Sequence, residues 1–175
     1  FYRILDVSNP ARPIEAGRWW YPGTREGDAT PAPDRLTAKF DTGFRAHNTN
    51  VFPQRPDRAY VGYIDGGAFV LDISNMSDIK VVSHWNHSPP FNGFIHTLLP
   101  LFERDLWIVS DECVQDNGAD WPKLVWVIDS RNEKNPVPIG TFPSAPFEAF
   151  AKRGGRSGAH NLHENLPIPT SFKSD

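Results

Sequence analysis

Apolar and polar positions follow the same order in three segments of the chain, which align with one another without gaps. The segments are ILDVSNPARPIEAGRW (4–19), VLDISNMSDIKVVSHW (70–85) and VIDSRNEKNPVPIGTF (127–142). In each segment two apolar residues precede an aspartate, and an asparagine follows three positions later. An aromatic residue stands thirteen positions after the aspartate. A pattern that recurs in one register over this length indicates a structural repeat.

The chemistry of this repeat predicts two strands joined by a turn. Short apolar runs rich in β-branched residues are typical of buried strands. Aspartate and asparagine favour turns because their side chains accept hydrogen bonds from nearby backbone N–H groups. We therefore predict a turn role, in preference to metal binding, for Asp6, Asp72 and Asp129. The aromatic residue that ends each segment is expected to pack between sheets.

Two further strands precede the second and the third repeat. They are predicted at 48–53 and 58–64, and at 97–102 and 105–110. Four short antiparallel strands per unit predict an all-β fold, a β-propeller of four-stranded antiparallel blades.

The repeat spacing predicts one partial propeller domain over residues 1–175. Its blade-like units lie around 1–20, 47–86 and 96–143, with the start of another at 160–175. This amounts to about three blades, whereas a closed propeller has about four to eight. We therefore expect a larger ring, with the remaining blades supplied by missing or separate polypeptide. The number of subunits is left open.

Composition narrows the range of partners. The chain has 175 residues, a net charge of −3 and no basic block, which disfavours nucleic-acid binding. No apolar run is long enough to predict a membrane span. The single cysteine, Cys113, excludes an internal disulfide framework and a zinc site with several cysteines. None of this fixes the compartment, although a cytoplasmic location is slightly favoured.

Three short strands with their following turns resemble the signature of the LVIVD-repeat family, which is expected to form β-propellers. They are YRILD (2–6), AFVLD (68–72) and VWVID (125–129). More distantly, the layout is similar to selenium-binding-type propellers and to carotenoid-cleaving oxygenases. In those proteins histidines on the inner strands hold a metal on the central axis, so the resemblance implies a metal site and oxygen chemistry by analogy.

Three histidines occupy the same position in successive units, just before the first strand of each. We refer to His47, His96 and His160 as the histidine group; their contexts are FRAHNTN, GFIHTLL and SGAHNLH. In a propeller the first strands line the central channel, so these side chains are expected to converge on one divalent metal. Imidazole suits several metals; Fe(II) is favoured, with Zn, Mn and Cu as alternatives. The alternative role is structural, in which the imidazoles bond loop backbone and keep the blades in register.

Carboxylates are predicted on the same rim as the histidine group. Asp111 and Glu112 follow a second strand, and Glu164 lies four residues after His160. Each is a candidate general base, metal ligand or partner for an imidazole N–H group. Asp65 occupies the position equivalent to Asp111 in the preceding unit.

The remaining candidates surround this predicted centre. Arg45 and Arg156 are candidates for binding an anionic substrate, Arg156 within a Gly-rich loop that otherwise resembles an ordinary flexible connection. His163 is expected to support the group from the neighbouring sheet, and His84 and His87 to have structural or surface roles. Cys113 has no histidine at a spacing that suggests a thiol nucleophile.

Two functions follow from this pattern, and an axial metal with a purely structural role is a third, lesser option. The favoured one is a metal-dependent enzyme that oxidises or hydrolyses a small, partly aromatic or apolar molecule. With iron the chemistry would be oxidation, and with zinc a metal-bound water of lowered pKa would favour hydrolysis. The alternative is a non-catalytic propeller that binds another protein through its loops and uses the histidines structurally.

Overall fold

The computed structural model describes residues 1–34, 43–144, 152, 154–156 and 158–163, and this part of the chain is all-β. It contains ten strands: β1 (Tyr2–Asp6), β2 (Ile14–Trp19), β3 (Thr49–Phe52), β4 (Arg55–Gly62), β5 (Ala68–Asp72), β6 (Lys80–Trp85), β7 (Ile95–Leu101), β8 (Leu106–Asp111), β9 (Leu124–Asp129) and β10 (Val137–Pro143). Two single-turn 3₁₀ helices lie at Phe102–Arg104 and Asp116–Gly118.

The strands form three antiparallel sheets whose order follows the chain. One sheet has four strands in the order β3-β4-β5-β6, and a second has the order β7-β8-β9-β10. The third pairs β1 with β2 alone. The prediction of four-stranded antiparallel units is therefore confirmed for two units. Residues 164–175, where the start of a further unit is predicted, lie outside the described part.

The repeated aspartate and asparagine build the same turn three times. The backbone N–H groups of Ser8, Ser74 and Arg131 each donate to the aspartate two residues earlier, at 2.8, 3.0 and 3.0 Å. The asparagine side chains accept in the same way from the residue two positions later, at 3.1–3.2 Å. The turn role of Asp6, Asp72 and Asp129 is confirmed.

Some strand limits differ from the prediction. The sequence QRPD is predicted as a turn, but β4 already begins at Arg55. The strand β7 begins at Ile95, so His96 lies inside the strand and not before it. For β4, pairing with neighbouring strands extends the ladder into residues whose local sequence favours a turn. For β7, Ile95 pairs with Asp111 and Thr97 with Ser110, so His96 lies at a register shift within the strand.

The aromatic residue at the end of each repeat packs on the following sheet where one is described. The ring of Trp19 lies 4.9 Å from that of Phe69 on β5, and the ring of Trp85 lies 5.2 Å from that of Trp126 on β9. Phe69 and Trp126 hold equivalent positions, three residues before the repeat aspartate. Phe142, the third aromatic, is 50% exposed.

The two four-stranded sheets touch most closely where β4 meets β7. Ile64 and Ile95 exchange backbone hydrogen bonds of 3.2 and 3.1 Å just beyond the end of β4. Gly62 lies beside this bridge, and a Cβ atom there would stand 2.1 Å from the carbonyl oxygen of His96. Only a residue without a side chain permits this approach.

Charged residues connect the same two sheets at the opposite end of β4. The Arg58 guanidinium lies 3.1 Å from Asp72 of its own sheet and 3.4 Å from Glu133 in the β9–β10 turn. The sheets are thus joined at both ends of β4, by backbone contact at one end and by ion pairs at the other.

Within the described residues no helix is long and apolar enough to cross a membrane.

Replacing Gly62 with alanine is expected to separate β4 from β7. Because the added methyl group would collide with backbone, the free energy of unfolding should fall by about 1–3 kcal/mol, the usual range for overpacking. Denaturant unfolding measures this change. Gly140→Ala is the matched control, because a Cβ atom added there would meet no other atom within 4 Å. Equal stability of the two variants would contradict the assignment of this contact.

Candidate metal centre

The sheet-to-sheet contact also positions two members of the histidine group. His47 lies just before β3, and its backbone N–H donates to the carbonyl oxygen of Gly62 at 2.9 Å. His96 is the second residue of β7, on the other side of Gly62. Their imidazole rings lie with centroids 4.3 Å apart. One glycine therefore brings together histidines that are 49 positions apart in the sequence.

The third histidine comes from the segment after β10. The Ser110 hydroxyl of β8 donates to the carbonyl oxygen of His160 at 2.6 Å. The His160 ring lies 4.4 Å from the His96 ring, centroid to centroid. The structure thus places the rings of His47, His96 and His160 near one another, and their role as metal ligands stays a prediction.

Glu112 lies in the middle of the histidine group. It follows β8 directly, and its backbone N–H donates to the carbonyl oxygen of Phe94 at 3.0 Å. One carboxylate oxygen, Oε2, lies 3.8 Å from Nε2 of His47 and 3.8 Å from Nε2 of His96. The other, Oε1, lies 3.6 Å from Nε2 of His160. In all three histidines the Nε2 atom thus faces the carboxylate of Glu112.

The donor atoms are close enough for a metal site. Among the described residues, His47, His96 and Glu112 form the set whose ligand atoms all lie within 4.8 Å of one another, and His160 approaches the other carboxylate oxygen of Glu112 from outside that set. The group sits at the boundary between core and solvent, since His96 is 3% exposed whereas His160 is exposed. Such a boundary provides fixed ligands on one side and access for small molecules on the other.

His96 is neutral near pH 7 and has a fixed ring. Burial, followed by the charges of His47 and His160, lowers the pKa of His96 to about 4. Its Nδ1 lies 2.7 Å from the hydroxyl of the buried Thr97. This contact orients Nε2 toward Glu112, as polar partners commonly do for metal-binding imidazoles. The sequence analysis missed Thr97, although a polar residue in the apolar run IHTLLP was a visible signal.

Asp111, predicted as a catalytic candidate beside Glu112, has a different environment. It is 1% exposed, and its Oδ1 lies 2.7 Å from Nε2 of His87. Its Oδ2 accepts hydrogen bonds from the Trp126 indole at 3.1 Å and the Leu124 backbone at 3.3 Å. Consecutive residues at a strand end face opposite directions, so Asp111 points into the sheet interface while Glu112 points to the histidine group.

His87 is a buried partner of Asp111, so the structural role is the one that fits. Its ring stacks on Trp126 at 4.9 Å with an interplanar angle of 13°. Nδ1 of His87 is buried without a hydrogen-bond partner among the described residues. The two partners are 24 positions apart, His87 in the loop after β6 and Asp111 at the end of β8, and no sequence motif links them.

The other residues predicted from the sequence to form or support the site lie in different parts of the structure. Arg156 lines a cavity beside Glu112 and His160, whereas Arg45 does not line it; both side chains are exposed. The carboxylate of Asp65 accepts from the Gly43 backbone at 2.7 Å. His84 contacts the carbonyl oxygen of Gly66 at 2.7 Å and stacks on Phe69, and His163 is exposed. Glu164 lies outside the described residues.

A buried lysine was also missed. Lys123 is 1% exposed, lies 3.4 Å from Asp120, and donates to the carbonyl oxygen of Gly93 at 2.8 Å. Asp120 in turn accepts from the Cys113 thiol at 3.2 Å. Buried charges of this kind persist because they are paired, and together they fix the β8–β9 loop behind Glu112.

Comparison with known families agrees with the repeat seen in the fold. The family model of the LVIVD repeat matches residues 3–20 and 57–86, which include most of β1, all of β2, most of β4, and β5 and β6. The chain contains LVIVD repeats. This repeat is associated with β-propellers. The third copy of the LVIVD-type turn, between β9 and β10, lies outside the matched residues but has the same hydrogen bonds. No curated protein and no solved structure matches the chain.

Replacing Asp111 with asparagine tests its structural role. In the asparagine variant an NH₂ group replaces one of the two carboxylate oxygens. The groups around Asp111 are themselves hydrogen-bond donors, so the NH₂ group cannot accept from them and one buried hydrogen bond is lost. The free energy of unfolding should fall by about 1–3 kcal/mol, measured by denaturant unfolding. Asp34→Asn, at an exposed position, serves as the matched control. A loss no greater than that of the control would show that the contacts of Asp111 do not stabilise the sheet interface.

Proposed function

We propose that this chain is part of a β-propeller metalloenzyme in which the histidine group and Glu112 bind one divalent metal. The metal would keep a coordination position open for water, dioxygen or substrate. The substrate would be a small, partly aromatic or apolar molecule, and the reaction an oxidation or a hydrolysis. The successive four-stranded sheets and the LVIVD repeats support the propeller.

The distances around Glu112 are the observation that carries the metal proposal. Hydrogen bonds between nitrogen and oxygen span roughly 2.7–3.2 Å, whereas the three Nε2–carboxylate distances are 3.6–3.8 Å. Two ligand atoms that each lie about 2.1 Å from one metal are about 3.4 Å apart in a tetrahedron. The group is therefore too widely spaced for direct hydrogen bonding and close to the spacing of a coordination shell.

The donor types favour a transition metal. Neutral imidazoles and one carboxylate suit Fe(II), Zn, Mn and Cu, and two histidines with one carboxylate is a common ligand set of non-haem Fe(II) oxygenases. Calcium and magnesium prefer oxygen ligands. When bound, iron would supply oxygen activation, and zinc would supply a water of lowered pKa.

The protein residues around the proposed metal have distinct roles. His96 supplies a buried, neutral nitrogen, and Thr97 fixes the orientation of that ring. Glu112 balances part of the metal charge, and its second oxygen could hold a proton at the open side. His47 and His160 complete the shell from the solvent side, where substrate would enter.

A double variant, His47→Ala with His160→Ala, tests the metal proposal. Both side chains are partly exposed, so the fold should survive. Elemental analysis without chelators is expected to find about one transition metal per chain in the wild type and at least a tenfold loss in the variant, because two ligands are removed. The identity of the metal then separates oxygen chemistry from hydrolysis.

His163→Ala is the matched control, because His163 is an exposed histidine three residues from His160. It should retain the metal. A wild-type protein purified without metal would contradict the enzyme proposal. The second candidate, a non-catalytic interaction propeller with structural histidines, would then account for the site.

Thr97→Val tests whether the buried hydroxyl positions His96. Valine keeps the shape but removes the oxygen that lies 2.7 Å from Nδ1. Loss of such a partner typically weakens metal binding about 10–100-fold, measurable by competition with a chelator of known affinity. Thr97→Ser keeps the hydroxyl and should restore most of the affinity. Equal affinity of the valine variant and the wild type would rule out the positioning role.

A further inference from the structure

A cavity beside the histidine group indicates the class of molecule that the site accepts. Its volume is about 320 Å³, near the lower end of ligand pockets in proteins. The lining residues are Glu112, Cys113, Arg156, Gly158, Ala159 and His160. Two members of the proposed metal shell therefore form part of the cavity wall. The cavity therefore lies directly beside the proposed metal site.

The part of the cavity wall that contains Arg156, Gly158, Ala159 and His160 is held by contacts on both sides of Arg156. The backbone N–H of Asn117 donates to the carbonyl oxygen of Gly155 at 2.9 Å. The Ser110 hydroxyl binds the carbonyl oxygen of His160, and Leu162 packs against the main core. Between these contacts, Gly158 has no side chain and Ala159 has only a methyl group, which leaves room for a ligand.

Arg156 is the one cationic side chain, apart from imidazole, among the described residues that line the cavity. Within the described part of the chain it forms no ion pair. By contrast, Arg18, Arg58 and Arg131 all bind carboxylates of the protein. The planar guanidinium fork matches a carboxylate in two parallel hydrogen bonds. The position of Arg156 at the cavity wall therefore suits it to bind an anion that enters from solvent.

We propose that this cavity binds a small carboxylic acid as its anion. Arg156 holds the carboxylate, and the remainder of the molecule extends toward Glu112 and His160. The volume suits a molecule of about one ring. The identification of this molecule as substrate rests on the proposed function, whereas the anion-binding site rests on the cavity and on Arg156 alone.

Binding of benzoate and of its neutral isostere benzamide, measured by calorimetry, tests the proposal. The wild-type protein, with the metal that it carries when purified, should bind benzoate roughly tenfold more tightly than benzamide, as one charge-assisted contact provides. Arg156→Gln should abolish most of that preference. Arg45→Gln is the matched control: it removes an exposed charge that does not line the cavity, and it should keep the preference.

The same binding measurement on metal-free protein distinguishes the anion-site proposal from the proposed metal-dependent function. A preference for benzoate that depends on Arg156 and persists without metal supports the anion site, whatever the metal analysis shows. Three results would overturn it: wild-type protein that binds neither probe, an Arg156→Gln variant that retains the preference, or a preference that disappears with the metal. In the last case benzoate binds the metal directly and Arg156 is not its partner.

Discussion

The close backbone contact between β4 and β7 determines the positions of the other parts of the candidate site. At Gly62 the absence of a side chain allows the carbonyl oxygen of His96 to lie where a Cβ atom would otherwise be. The carbonyl group of Gly62 itself accepts the backbone N–H of His47. Two successive sheets, and the first histidine of each, are thereby placed in one register. The backbone contact thus fixes the points from which the two imidazoles extend, and the Thr97 hydroxyl further orients the ring of His96.

A second consequence concerns charge. The contact brings three imidazoles around one carboxylate at the edge of the core and buries His96 among them. Burial, and after it the charges of His47 and His160, lowers the pKa of His96 to about 4, so this ring is neutral near pH 7. Neutral imidazoles with free nitrogen lone pairs are what a transition metal requires. The same sheet contact that stabilises the fold thus prepares the ligands of the proposed metal centre.

Local periodicity was sufficient to predict the repeat and the turn role of Asp6, Asp72 and Asp129. These features recur at fixed spacing because each sheet repeats the same strands. The choice between Asp111 and Glu112 could not be made from sequence, because it depends on which way β8 faces at its last residue.

Long-range pairs were equally inaccessible to sequence analysis. His87 with Asp111, and Arg58 with Glu133, each join a loop or turn of one four-stranded unit to a strand of the other, and only the packing of the two units brings them together. The pair Lys123 and Asp120 is local, but its burial depends on the loop that covers it. Each of these contacts depends on tertiary structure. The spacing of residues in a single sequence, without aligned relatives, does not reveal such contacts.

The most direct test of the central proposal is X-ray diffraction at the absorption edge of the metal that the purified protein contains. An anomalous peak is predicted between the Nε2 atoms of the histidine group and the carboxylate of Glu112, about 2.0–2.2 Å from its ligands. A peak elsewhere in the molecule, or none while His47, His96 and His160 contact Glu112 directly through hydrogen bonds, would contradict the proposed metal centre.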